Sequence, residues 1–149
     1  MRTITIEGID YKIEYSIEAS LYEDCAGCLM DAFINEGLVT GSAKNGNYKD
    51  AAEGFKSTLA GIPQRTLTLF YAGLMENHDL SKNAAKEILK KYIKESGKSY
   101  LEIQNELVEI VEEDNFFELI GLDKVFKTME SNTNENENEK VGKNTSTEQ

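Results

Sequence analysis

The opening residues, MRTITIEGIDYKIEYSI, are the strongest constraint on what this chain can fold into. Ile4 and Ile6 alternate with Thr3 and Thr5, and Tyr11, Ile13, Tyr15 and Ile17 alternate with Lys12, Glu14 and Ser16. A period of two belongs to strands, and Glu7-Gly8-Ile9-Asp10 supplies a turn between the runs, so the pattern predicts a β-hairpin over residues 1–17. One face of this ribbon is continuously apolar. A lone hairpin is marginal in water, so that face must lie on a helix or on a strand of another copy.

Downstream the apolar spacing turns helical. Ser16 stands as an N-cap, and Leu21, Cys25, Cys28, Leu29, Ala32 and Phe33 keep helical spacing as far as Gly37, giving a cover for the hairpin. Residues 37–49, GLVTGSAKNGNYK, are rich in Gly, Asn and Ser and read as an exposed loop. Asp50 and Glu53 have capping-box spacing and predict a short helix to about Ala60. Gly61 and Pro63 punctuate, with Pro63 in the first turn of the next helix. That helix carries Leu67, Phe70, Tyr71 and Leu74 and is expected to end near Asn77-His78. Ser81 caps a helix with Ala84, Ala85, Ile88, Leu89, Tyr92 and Ile93 on one face, stopping at Gly97. Ser99 and Glu102 form another capping box, ahead of Leu107, Ile110 and Val111. Asn115 to Gly121 leads into a last helix with Leu122, Val125, Phe126 and Met129.

After Glu130 the composition changes. SNTNENENEKVGKNTSTEQ holds a single bulky apolar residue, Val141, and cannot bury enough surface to offset chain entropy. The expected architecture is α+β and mostly α, with an N-terminal β-hairpin packed on a bundle of five or six helices. Residues 1–130 form a single folded domain in this reading, the hairpin over 1–17 and helices over 18–130, and residues 131–149 form a disordered polar tail.

With 149 residues and 40% apolar composition, such a domain needs no metal or disulfide to hold it. Its formal charge of −11 repels phosphate backbones and anionic lipid, so neither nucleic acid nor a membrane is an expected partner. There is no apolar run of the roughly 20 residues that span a bilayer, and the N-terminus lacks the apolar core of a signal peptide. A soluble cytoplasmic protein is expected.

No reaction emerges from the polar residues. In Cys25-Ala26-Gly27-Cys28 the first thiol falls about two turns into the helix expected from Ser16, too far for the helix N-terminus to activate it. Glu23 and Asp24 oppose a thiolate, and a zinc site lacks ligands in a chain with one histidine and no second CxxC, so both cysteines read as buried small hydrophobes. His78, at an expected helix C-terminus, reads as a cation capping the helix dipole. Glu106, Glu109, Glu112, Glu113 and Asp114 read as a solvated face opposite an apolar stripe. Gly41 and Gly46 lack the strand–glycine–helix order of a phosphate cradle. Neither enzymatic activity, nor a metal, nor a cofactor is expected. Phe70, Tyr71, Phe116, Phe117 and Phe126 read first as core, although partner-binding helices use the same spacing.

Three phrases, taken in order, resemble a known family: TITIEGIDYKIEYSIEASLYED, TLFYAGLMENH followed by a capped helix, and DNFFELIGLDKVFKTME. Over roughly residues 1–130 the chain resembles the tail assembly chaperones of long-tailed bacteriophages and prophages of Gram-positive hosts. The resemblance implies a non-enzymatic helper in the host bacterial cytoplasm. Such a helper binds the tape measure protein, keeps it soluble while the tail tube polymerises, and is absent from the mature virion. It also implies contact with tail tube protein through a frameshifted longer form, and self-association is a further possibility. An apolar helical groove in an acidic exterior suits such a client, and Phe70, Tyr71, Leu74 and Met75 are the residues expected to border it. Two other readings are an acidic mimic of DNA that blocks a nucleic-acid enzyme and a CxxC redox protein.

Overall fold

The structure is a computed structural model and describes residues 1–31, 48–125 and 127–128, with the side chains of 48–55 and 57–59 left aside. Strands β1 (Arg2–Ile6) and β2 (Ile9–Ile13) form the expected antiparallel hairpin. Its turn is tighter than the sequence suggests. Glu7 and Gly8 alone make it, with φ of 49° and 77°, and Ile9 pairs with Ile6 within the ladder. Two central residues at positive φ match the twist of the flanking strands, so Ile9 and Asp10 belong to β2.

Helices α1 (Ile17–Leu21), α2 (residues 23–31), α3 (Tyr48–Leu74), α4 (Lys82–Ser96), α5 (Tyr100–Glu113), α6 (Phe116–Leu119) and α7 (residues 122–125) follow. The fold is α+β and mostly helical, with the hairpin at its N-terminal end. The expected loop over 37–49 falls mostly, and the expected polar tail over 131–149 entirely, outside the described residues, as do Ala32, Phe33, Phe126 and Met129.

α3 is already helical at Tyr48, so Asp50 lies within it rather than capping a short helix. Two further helix boundaries differ from expectation. The helix expected to start at Ser16 breaks at Tyr22, which is extended at φ −84° and ψ 101°. Ser16 provides no side-chain cap, because its hydroxyl donates to the Glu76 carboxylate instead. Ala19 is the one buried residue of α1, while Ile17 and Leu21 face outward, so little burial favours continuing it. The break turns the Tyr22 ring edge-on to Tyr71, with centroids 5.4 Å apart. The second difference is at Pro63, which lies inside one continuous 27-residue helix rather than opening a new one. Proline removes one backbone hydrogen bond and costs about 3 kcal/mol in a helix interior. Here it occupies an exposed position, while Ile62, Thr66, Leu69, Phe70, Ala72 and Leu74 of the same helix are buried. Burial on that scale offsets the break.

The local stop and start signals after α3 are met as read. Ser81 accepts from the Ala84 amide at 3.1 Å, and Gly97 ends α4 in the left-handed region. Ser99 and Glu102 make both halves of the capping box. One core cluster joins Ile6, Ile13 and Tyr15 of the hairpin region to Phe70 and Leu74 of α3, Leu89 of α4, Leu107 and Ile110 of α5, and Phe116 of α6.

The hairpin reaches that core over Gly73. The Glu14 amide donates to the Gly73 carbonyl at 2.8 Å, and a Cβ at Gly73 would lie 2.5 Å from Ile13 Cγ2 and 3.3 Å from Tyr15 Cζ. The element that approaches this small residue is the end of β2. Replacing glycine with alanine inside a helix normally gains about 1 kcal/mol. At this position Gly73→Ala is expected to destabilise by about 1–3 kcal/mol through overpacking, read from the urea unfolding midpoint. A stabilised variant would show that the strand is not seated there.

Candidate functional site

Helix α3 carries the segment that the sequence singles out, and its geometry divides the expected residues into two pairs. Phe70 and Leu74 are fully buried. They are core side chains and cannot border a groove, a correction that follows from the hairpin and α5 closing over that face of α3. Tyr71 and Met75 are half-buried and remain at the surface.

Both of them line a cleft of about 390 Å³. α3 ends in a turn in which the His78 amide donates to the Leu74 carbonyl at 2.9 Å. That turn brings Glu76, Asn77, His78, Asp79 and Leu80 around the mouth, and Glu18 of α1 closes the far side. The apolar part is Tyr71, Met75 and Leu80; the acidic part is Glu18, Glu76 and Asp79. Behind Tyr71, the Tyr22 ring is held by Lys82, whose Nζ donates to the Tyr22 hydroxyl at 3.1 Å. That hydroxyl donates in turn to Asp24.

His78 does a different job from the one expected. Its Nε2 accepts from the Lys12 amide at 3.0 Å, and its ring rests against Tyr11 with centroids 5.6 Å apart. The imidazole therefore joins the outer edge of β2 to the turn after α3, through a lone pair rather than a cationic charge. Asp114 also departs from the solvated face assigned to it. It follows α5 as the C-cap, and its Oδ2 accepts from the Tyr15 amide at 2.8 Å. Neither role shows in sequence spacing, because the partners lie 66 and 99 residues away.

The break at Tyr22 changes the setting of the CxxC pair. Cys25 now sits in the first turn of α2, its amide donating to the Tyr22 carbonyl at 2.9 Å, instead of two turns into a longer helix. A helix N-terminus there favours a thiolate by about 0.3–1 kcal/mol. Burial acts the other way and is larger: it pushes the Cys25 thiol up to about 12, with Cys28 adding to the shift. Burial likewise pushes Cys28 up to about 11, where Arg65 pulls down and Asp31 pushes up. Cys28 donates weakly to the Arg65 carbonyl at 3.8 Å. Both thiols are free. Among the described residues no group of three or more His, Cys, Asp or Glu is arranged to hold a metal ion, and no helix is long and apolar enough to cross a membrane.

Comparisons with protein families, with curated proteins and with solved structures find no match.

Two outcomes follow for the thiols. Both are expected to resist a chromogenic thiol reagent at neutral pH and to react at once in denaturant; rapid reaction in the folded protein would show an activated thiol. Burial makes the folded state hold these protons more tightly than the unfolded chain does. Stability is then fully present below about pH 8.5, where unfolded thiols begin to ionise. It falls as the pH rises toward about 11 and beyond, with buried Tyr15 adding to the loss in the same direction. Urea midpoints across this range are expected to be flat and then to decline.

Proposed function

We propose that this protein is a tail assembly chaperone of a long-tailed phage or prophage. It acts without catalysis in the cytoplasm of the bacterial host, binding the tape measure protein and keeping it soluble while the tail tube polymerises. It leaves before the virion is complete. A frameshifted longer form recruits tail tube protein.

One observation supports this reading beyond the resemblance of the three phrases: the cleft where Tyr71, Met75 and Leu80 sit beside Glu18, Glu76 and Asp79. An amphipathic helix inserts a few bulky apolar side chains into such a groove, and charge at the rim orients it. At about 390 Å³ the cleft takes only a short part of a long client, so each copy contributes modest affinity. Many copies along one client would multiply it. Away from the cleft, several carboxylates are paired rather than free as a phosphate mimic would need: Glu109 and Glu113 with Arg2, Glu87 with Lys90, Glu7 with Lys91 and Glu106 with Lys98.

The test is co-expression with a tape measure protein. Met75→Asp places a carboxylate at the half-buried cleft edge and is expected to abolish co-purification, with the circular dichroism and melting temperature unchanged. Leu74→Asp buries an unpaired charge and is expected to destabilise the fold by about 3 kcal/mol or more. Retention of the client by a folded Met75→Asp variant would remove the cleft from the binding surface.

A further inference from the structure

The two edges of the hairpin are treated differently by the rest of the molecule. The turn at Glu7-Gly8 and the Ile6–Ile9 closing pair fix which backbone groups face which way. Ile9, Tyr11 and Ile13 exchange bonds with Ile6, Ile4 and Arg2, so Asp10, Lys12 and Glu14 point their amides away from β1. Two of these three outward amides are bound, that of Lys12 by His78 and that of Glu14 by the Gly73 carbonyl, while exposed Asp10 stands beside the turn. The same alternation turns the amides and carbonyls of Thr3 and Thr5 outward from β1. Both residues are exposed, and among the described residues no backbone or side-chain group bonds to those amides or carbonyls.

An open edge is usually guarded by a lysine on the strand edge, a proline or a bulge. β1, with the sequence RTITI, has none of these at its centre and pairs in regular register along its whole length. It is also held straight at both ends. Arg2 pairs with Glu113 at 2.5 Å and with Glu109 on α5. At the other end Glu7 pairs with Lys91 on α4 at 2.7 Å, and its amide donates to Glu95.

We propose that the outer edge of β1 is a self-association surface, pairing antiparallel with β1 of a second copy to join two hairpins into a four-stranded sheet. The two-fold axis passes at Ile4. Thr3 exchanges its outward bonds with Thr5 of the partner subunit, Ile4 meets its own equivalent, and Arg2 stands opposite Ile6 of the partner subunit. An isologous contact requires a patch complementary to itself, and this register opposes no like charges along the strand.

Charge selects a second copy as the occupant. The start of β1 is tied to α5, which carries five glutamates and no lysine or arginine. Its end is tied to α4, which carries five lysines against two glutamates. Antiparallel pairing sets the start of one strand beside the end of the other, so each acidic α5 faces the basic α4 of the neighbouring copy. A parallel arrangement would set α5 against α5. The protein's overall charge of −11 opposes association at long range, and this local arrangement is what overcomes it.

The experiment is sedimentation of the full chain over a range of concentration and salt, with amide exchange measured at both concentration limits. A dimer that weakens with salt is expected, with the Thr3 and Thr5 amides protected only where the dimer is populated. Thr5→Pro removes one outward amide and the Thr5 hydroxyl's bond to Asp10 but no ladder bond, and is expected to be a folded monomer with a slightly lower melting temperature. Should that variant unfold, the paired substitution Thr3→Lys and Thr5→Lys leaves the hairpin bonds intact and opposes lysines across the seam. It is expected to weaken the dimer at least about tenfold. A chain that stays monomeric at all concentrations overturns the proposal, as does a folded Thr5→Pro or double-lysine variant that dimerises undiminished. Protection that is independent of concentration would mean that the same chain covers the edge, and protection that appears only with added tape measure protein would assign it to a client. Either would also overturn it.

Discussion

A helix backbone with nothing projecting from it is what lets the hairpin join the helices. At Gly73 the end of β2 comes close enough for the Glu14 amide to reach a helical carbonyl, and Ile13 fills the space a side chain would take. Tyr15 then passes beneath α3. Its hydroxyl donates to the Leu69 carbonyl at 2.8 Å, its amide donates to Asp114, and its ring meets Phe116 edge-on at 5.8 Å. One residue thus joins the hairpin exit to α3, the end of α5 and α6. The apolar face that a lone ribbon would expose is closed in this way.

The same contact creates the surfaces on which the functional reading rests. Because the hairpin and α5 close over the Phe70 and Leu74 face of α3, Tyr71 and Met75 are what remain of those four residues for the cleft. Because the turn that follows α3 binds Lys12 and the end of α3 binds Glu14, β1 is, among the described residues, the more open edge. Placement of one ribbon therefore decides which side chains of α3 are left to reach the cleft.

Local signals were readable in the chain wherever the deciding partners lie within one turn. The Ser99–Glu102 box, the Ser81 cap and the Gly97 stop involve residues three or four apart, and the alternation of residues 3 to 15 depends only on the pleat. The break at Tyr22 and the passage of α3 through Pro63 ran against the local signals. In the first, a helix with one buried residue yields to an aromatic contact with Tyr71, 49 positions away in sequence. In the second, burial along α3 outweighs a proline that faces solvent. At the cysteines the premise was wrong: the helix start does lie beside Cys25, desolvation raises that buried thiol nonetheless, and Cys28 is only half-buried.

The sequence by itself determined the class and the local punctuation: a hairpin from a period of two, helical stretches from a period near 3.6, and the ends after α3 from caps that act within a turn. Only the tertiary structure decided which apolar residues remain at the surface. Phe70, Tyr71, Leu74 and Met75 share one spacing, and spacing identifies a face without saying what lies on it. The partners that settle the matter, Ile13 and Tyr15 against Gly73 and Tyr22 against Tyr71, are distant in the chain. Burial is a property of such long-range contacts, so it is decided when the hairpin docks and not before.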